Sequence, residues 1–197
     1  MTIQATPALD RPRIDIALAF KGGWRVFAAD IVPLIVGGLI ALALSIVTIG
    51  ILAGPLFAGL YNMAAGRIRD GRRPEIGDVF SCMDRFWDFF AAALVLVILI
   101  GLAWVTVVGG ILLMTIWLYV FPLMVDRRMG LGDAMATSYH MVVGNGFWEH
   151  LAFVLLLTAL NAVADGPLAL LSVPFTIATV TAAYYVVAGR ADAVERV

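Results

Sequence analysis

Residues 89–125 read FFAAALVLVILIGLAWVTVVGGILLMTIWLYVFPLMV, 37 positions without a charge, closed by Asp88 on one side and Asp126 on the other. As one straight helix this run would be about 55 Å long, at about 1.5 Å per residue. The hydrocarbon core of a bilayer is about 30 Å thick and takes roughly 20 residues to cross. The run is therefore read as two helices and a tight turn. An open sheet is excluded, because lipid leaves its edge backbone groups unsatisfied.

Two other runs have the same form. Asp30 and Arg67 are separated by 36 uncharged residues, and His150 and Arg190 by 39, interrupted only by Asp165. Gly and Pro near the middle of each run mark a turn: TIGILAGP (48–55), VVGG (107–110) and ADGP (164–167). The expected fold is an all-α membrane protein with six transmembrane helices, at about 31–48, 52–68, 89–106, 110–126, 151–164 and 167–189. Composition agrees. The chain is 62% hydrophobic and 14% charged, where soluble domains carry about 25% charged residues.

Charge sets the expected topology. All thirteen basic residues fall in the N-terminal segment, the two connections between hairpins or the C-terminal tail, and none in the turns within hairpins. The positive-inside rule then puts both termini and the connections in the cytoplasm. A net charge of −1 implies no nucleic-acid partner. The polar N-terminus has no apolar core of a cleavable signal peptide, so none is expected. Localisation is read as the bacterial cytoplasmic (inner) membrane, multi-pass.

The connections repeat a phrase: RDGRRPEIGDV at 69–79 and VDRRMGLGDAM at 125–135. Asp15, Asp78 and Asp133 each open an amphipathic segment as an expected N-cap. Trp24, Trp87 and Trp148 follow as interfacial anchors. Asp30, Asp88 and Glu149 then start the next span. The chain is accordingly read as a polar tail (1–13), one membrane domain (14–190) and a C-terminal tail (191–197). The domain divides into three tandem parallel helical-hairpin repeats, about 14–75, 76–130 and 131–190, around a pseudo-three-fold axis. Each repeat begins with an interfacial amphipathic helix on the cytoplasmic side. In the first, Ala17, Phe20, Trp24 and Phe27 form the apolar stripe, opposite Asp15, Gly22 and Arg25.

Candidate sites are sparse. Arg67, Arg69, Arg72, Arg73, Arg127 and Arg128 are candidates for anionic-lipid contact, although topology alone accounts for them. Asn161 and Asp165 form a candidate intramembrane polar site, although Asp-Gly-Pro is also a good turn and helix start. Asn62, Thr115, Tyr119, Thr176, Thr179, Thr181, Tyr184 and Tyr185 are polar groups inside spans, suited either to lining a central cavity or to bonding helices together. His140 and His150 are ten residues apart and do not share a helix face, so no metal is expected. Cys82 is the lone cysteine, with no activating neighbour. No catalytic motif is present, and no cofactor is expected. Gly50 and Gly54 form a GxxxG that suits helix packing within the chain or a homo-oligomer contact.

PLMVDRRMGLGDAMATSYHMVVGN (122–145) resembles a phrase found in bacterial polytopic integral-membrane proteins, including uncharacterised relatives of the membrane domain attached to some glycerophosphodiester phosphodiesterases. Pro122, Asp126, Asp133, Ala134, Ser138 and Asn145 carry the likeness, with GPLFAG (54–59) similar to a hairpin start. It extends loosely over residues 14–160. It implies a multi-helix membrane fold in a bacterial inner membrane and no activity, because the phosphodiesterase domain has no counterpart.

The function expected from these features is that of a non-catalytic scaffold or accessory partner in the lipid bilayer, with a homo-oligomer or another membrane protein as candidate partner. One alternative is a small transporter or channel for a lipid-like or small neutral molecule along the repeat axis. A second is a membrane-embedded lipid-modifying enzyme, which would need converging polar side chains that the sequence does not supply.

Overall fold

The computed structural model describes residues 13–164 and 168–197, and it is helical with no strand among them. The elements in order are α1 (Ile16–Ala29), α2 (Ile31–Val47), α3 (Ala53–Asp70), α4 (Phe86–Ala103), α5 (Val107–Ile116), α6 (Val120–Asp126), α7 (Leu131–Gly144), α8 (Phe147–Val163), α9 (Ala169–Val187) and α10 (Ala191–Glu195). Two short 3-10 turns, Ile76–Phe80 and Met83–Arg85, precede α4. Three segments are long and apolar enough to cross a membrane: Ile76–Ala103, Val107–Asp126 and Leu170–Val187. Two bent pairs among the described residues, α1 with α2 at 91° and α7 with α8 at 108°, bring the number up to five where each pair counts as one span.

The helix α3 falls outside that set, because Arg67, Arg69 and Asp70 occupy its last turn. It is nevertheless the central element, packed against α2, α4, α6 and α9. Small residues make this possible by letting backbones approach closely. A Cβ on Gly54 would strike the Phe89 carbonyl, and one on Gly59 the Val79 carbonyl. Gly54 thus serves contacts within the chain, and Gly50 sits in the turn between α2 and α3. Across that hairpin Asp30 pairs with Arg67 at 3.2 Å, with the aspartate almost fully buried.

Helix α1 lies along α9, held by a face that matches the expected stripe only in part, at Phe27 and the half-buried Phe20. Its buried residues are Ala19, Gly22, Gly23, Val26 and Phe27, whereas Ala17 and Trp24 are exposed. Gly22 meets Ala182 and Val194, and Gly23 meets Thr179. Close approach at Gly22 and Gly23 acts together with ring contacts from Phe20, Trp24 and Phe27 to Phe175 of α9.

Several local expectations are corrected. Residues 76–85 form 3-10 turns rather than an amphipathic α-helix, and Val79 is fully buried where the segment packs against α2 and α3. Of the three expected N-caps, Asp15 accepts a bond from Leu18 N–H. Asp78 instead sits third in its turn, accepting from Glu75 N–H and pairing with Arg72. Asp133 lies inside α7, whose N-cap is Gly130. The second turn falls at 104–106, so that Gly109 and Gly110 belong to α5. The third lies mostly outside the described residues, as does Asp165.

The expected span 110–126 lies within one membrane-length segment, Val107–Asp126, in which a local turn separates α5 from α6. Between α5 and α6, residues 117–119 form a turn without Gly or Pro. A buried break must satisfy its freed backbone groups. Ser138 of α7 does so from outside: its hydroxyl donates to Ile116 C=O (2.8 Å) and accepts from Tyr119 N–H (3.1 Å).

Candidate functional site

Small side chains and a local turn leave space in the bundle. A cavity of about 720 Å³ lies between α3, α4, α5, α6, α8 and α9. Ala53, Gly54, Phe57 and Tyr61 line it from α3, and Ala93, Leu96 and Val97 from α4. Met114, Leu118 and Phe121 come from either side of the break. Val154, Leu157, Thr158, Asn161 and Ala162 come from α8, and Val173, Thr176, Ile177 and Val180 from α9. The walls are aliphatic and aromatic, with polar groups only at Tyr61, Thr158, Asn161 and Thr176. The Asn161 amide donates to Leu157 C=O (2.8 Å) and to the Thr176 hydroxyl (2.9 Å). That leaves the amide oxygen free of those bonds. Concave, mostly apolar sites with a few placed polar groups, of about 300–1,000 Å³, are the usual form of a small-molecule site.

A second, polar cleft of about 240 Å³ lies among α3, the 3-10 segment, α4 and α6. Asn62, Arg69, Ser81, Asp84, Arg85, Asp126 and Arg128 line it, with Phe89 as its aromatic wall. The Asp126 carboxylate organises one side. It accepts from Arg69 (3.2 Å), Tyr184 (2.9 Å) and Tyr185 (2.7 Å), tying the ends of α3, α6 and α9 together. Arg85 donates to the carbonyls of Met124 and Met129 and pairs with Asp88.

The basic residues expected at lipid headgroups are largely engaged within the chain. Arg67 pairs with Asp30, Arg69 with Asp70 and Asp126, Arg72 with Asp78, and Arg128 with Asp84. Arg73 and Arg127 are exposed. Trp24, Trp87 and Trp148 are all exposed, at 59%, 75% and 75%, as interfacial side chains would be. Of the polar groups expected inside spans, Thr115, Thr179 and Thr181 donate to carbonyls one turn back in their own helices. Only Asn161 and Thr176 reach the apolar cavity, and Asn62 lines the polar cleft.

His150 is fully buried beside Tyr119, with ring centroids 5.6 Å apart, edge to face. Its Nδ1 lies 2.6 Å from Gly146 O, a carbonyl that can only accept, so Nδ1 donates to it. His140 is exposed on α7. Among the described residues no group of three or more His, Cys, Asp or Glu side chains could hold a metal ion. Cys82 is buried.

Sequence reasoning missed Tyr61, Thr158 and the aromatic residues at the cavity floor. Tyr61 stacks on Phe121 at 5.8 Å between centroids, and Phe121 on Phe89 at 6.3 Å, both pairs 16° from parallel. No signal in one sequence brings residues from α3, α4 and α6 into one stack. No family model, curated protein or solved structure matches this chain.

Proposed function

We propose that this chain is a non-catalytic polytopic membrane protein that holds a lipid-like or small neutral molecule in the cavity between α3, α4, α5, α6, α8 and α9. The cavity itself is the observation that carries the reading. It is too large and too apolar to be a water site, and it holds a bonded polar pair, Asn161 with Thr176. This favours the lipid-like-molecule alternative over the scaffold reading, for which the fold offers no comparable feature.

In this reading α2, α3, α4, α5 with α6, α8 and α9 are the six spans, as three hairpins. The bends between α1 and α2 and between α7 and α8 support related first and third units, with residues 76–85 leading into the second hairpin. The arginine-bearing ends and both termini face the cytoplasm of a bacterial inner membrane, where exposed Arg73 and Arg127 meet anionic lipids. The residues that carried the likeness to bacterial membrane proteins serve the fold: Asp126 binds two tyrosines, Ser138 bridges the helix break, and the Asn145 amide donates to Met141 C=O.

The test is native mass spectrometry of the protein in nanodiscs formed with its own membrane lipids. One small ligand should be retained at fixed stoichiometry, and Ala93→Trp, which fills the cavity, should remove it. Equal retention by the wild type and the filled variant would count against the proposal.

A further inference from the structure

Asn161, on the wall of the apolar cavity, leaves half of its amide unused. Its nitrogen donates to Leu157 C=O and to the Thr176 hydroxyl. Leu157 C=O can only accept, which fixes the nitrogen on that side and leaves the amide oxygen as an open acceptor. Thr158 precedes Asn161 by about one turn of α8, so the two share a helix face. Its hydroxyl has no hydrogen-bond partner among the described residues, and the Thr176 hydroxyl accepts from Asn161 but donates to none of them. One acceptor and two O–H donors therefore adjoin on the wall formed by α8 and α9. A further hydroxyl without a partner among the described residues, that of Tyr61, belongs to the α3 wall. Polar groups left unpaired beside apolar walls are costly, and a ligand that pairs with them is favoured.

We infer that the cavity takes an uncharged acyl lipid, one whose head offers a carbonyl oxygen beside an O–H group. The inference rests on the reading of the cavity as a site for a lipid-like molecule. The ligand carbonyl accepts from Thr158 and Thr176, and the ligand O–H donates to the Asn161 amide oxygen. The walls select against charge. No Asp, Glu, Lys, Arg or His is among the described lining residues, and an ion taken out of water without a partner is far costlier than a neutral group. The rim points to the source. Val97 and Ala162 line the cavity and are exposed, and the exposed side chains near them on α4 and α8, Leu94, Ile98, Leu160 and Val163, are apolar. A molecule entering there comes from the bilayer. A monoacylglycerol and a fatty acid in its protonated form share this chemistry.

Equilibrium binding of radiolabelled mono-oleoylglycerol and oleic acid to the full chain in phosphatidylcholine nanodiscs supplies the test. Specific binding is the part that Ala93→Trp removes, and octadecene, which has no head, is the control. Mono-oleoylglycerol should bind equally at pH 7 and pH 9. Oleic acid should bind at least about tenfold more weakly at pH 9, because its neutral fraction falls with each unit above the carboxyl range. Thr158→Val removes a hydroxyl that bonds to nothing in the fold. It should leave the unfolding midpoint in place and weaken mono-oleoylglycerol about fivefold, the strength of one hydrogen bond. Specific binding of oleic acid alone, with that pH dependence, would assign the head to a protonated carboxyl, and binding of mono-oleoylglycerol alone to an ester. If oleic acid binds alike at both pH values, if Thr158→Val binds like the wild type, or if octadecene binds as well as the headed lipids, the head site is wrong and the cavity reading stands. If no probe shows binding that Ala93→Trp removes, both fall.

Discussion

Ser138 offers a sharp energetic test, because one hydroxyl serves both sides of the turn between α5 and α6. In Ser138→Ala the Ile116 carbonyl and the Tyr119 N–H lose their side-chain partner in a place where Ser138 is fully buried. A buried polar group left unsatisfied costs about 1–3 kcal/mol. Two such groups, with some recovery by local tightening of the turn, give a loss of about 3 kcal/mol. For a domain near this size, each kcal/mol moves the unfolding midpoint by roughly 2–4 °C, so a fall of roughly 6–12 °C is expected. The assay is thermal unfolding in detergent, followed by the intrinsic fluorescence of the five tryptophans. Ser81→Ala is the control: it also loses two side-chain contacts, the bond from Asn62 and a long one with Cys82, but on an exposed residue, and should move the midpoint by about 1 °C, as surface changes usually stay within about 0.5 kcal/mol. If Ser138→Ala unfolds with the control, the bridge does not support the break and α6 has no clasp at that end.

Three other outcomes follow from the packing. Gly59→Ala forces a Cβ into the Val79 carbonyl; backbone cannot yield as a side chain does, and a loss of about 1–3 kcal/mol is expected by chemical denaturation. Asp30→Ala strands the largely buried Arg67 and should cost about 3–5 kcal/mol, with Asp30→Ala/Arg67→Ala recovering part of it in a double-mutant cycle. Single cysteines placed in a Cys82→Ser background test the orientation: those at Ile49 and Val105 should react with an impermeant thiol reagent from outside intact cells, and one at Arg73 only after the membrane is opened. Labelling of Arg73→Cys in intact cells would reverse the proposed topology.

Much of the architecture was legible because charge is costly in lipid. The ends of the uncharged runs at Asp30, Arg67, Asp88, Asp126 and Arg190 all fall within a residue or a few of helix termini. What stayed hidden depends on contacts distant in sequence. The break at 117–119 carries no breaker residue, and the partner that stabilises it is twenty residues away on α7. The docking face of α1 was legible only in part, at Phe20 and Phe27, because apolar periodicity registers polarity, whereas Gly22 and Gly23 work by absence of a side chain. The 3-10 turns at 76–85 kept an α-like spacing of apolar residues, yet only Val79 among Ile76, Val79 and Phe80 is buried. Of the site, Asn161 and Thr176 were visible as uncommon polar residues in apolar runs. The apolar walls were not, since a cavity-lining Leu or Val reads like one that faces lipid.

The most direct test of the account is photolabelling with a fatty acid that carries a diazirine in mid-chain, applied to the protein in its own membrane and mapped by peptide mass spectrometry. The account predicts adducts concentrated on Phe57, Met114, Leu118 and Val173, which line the cavity, and their loss in Ala93→Trp. Adducts confined to outward residues such as Leu94 and Ile98, and equal in the two proteins, would contradict it.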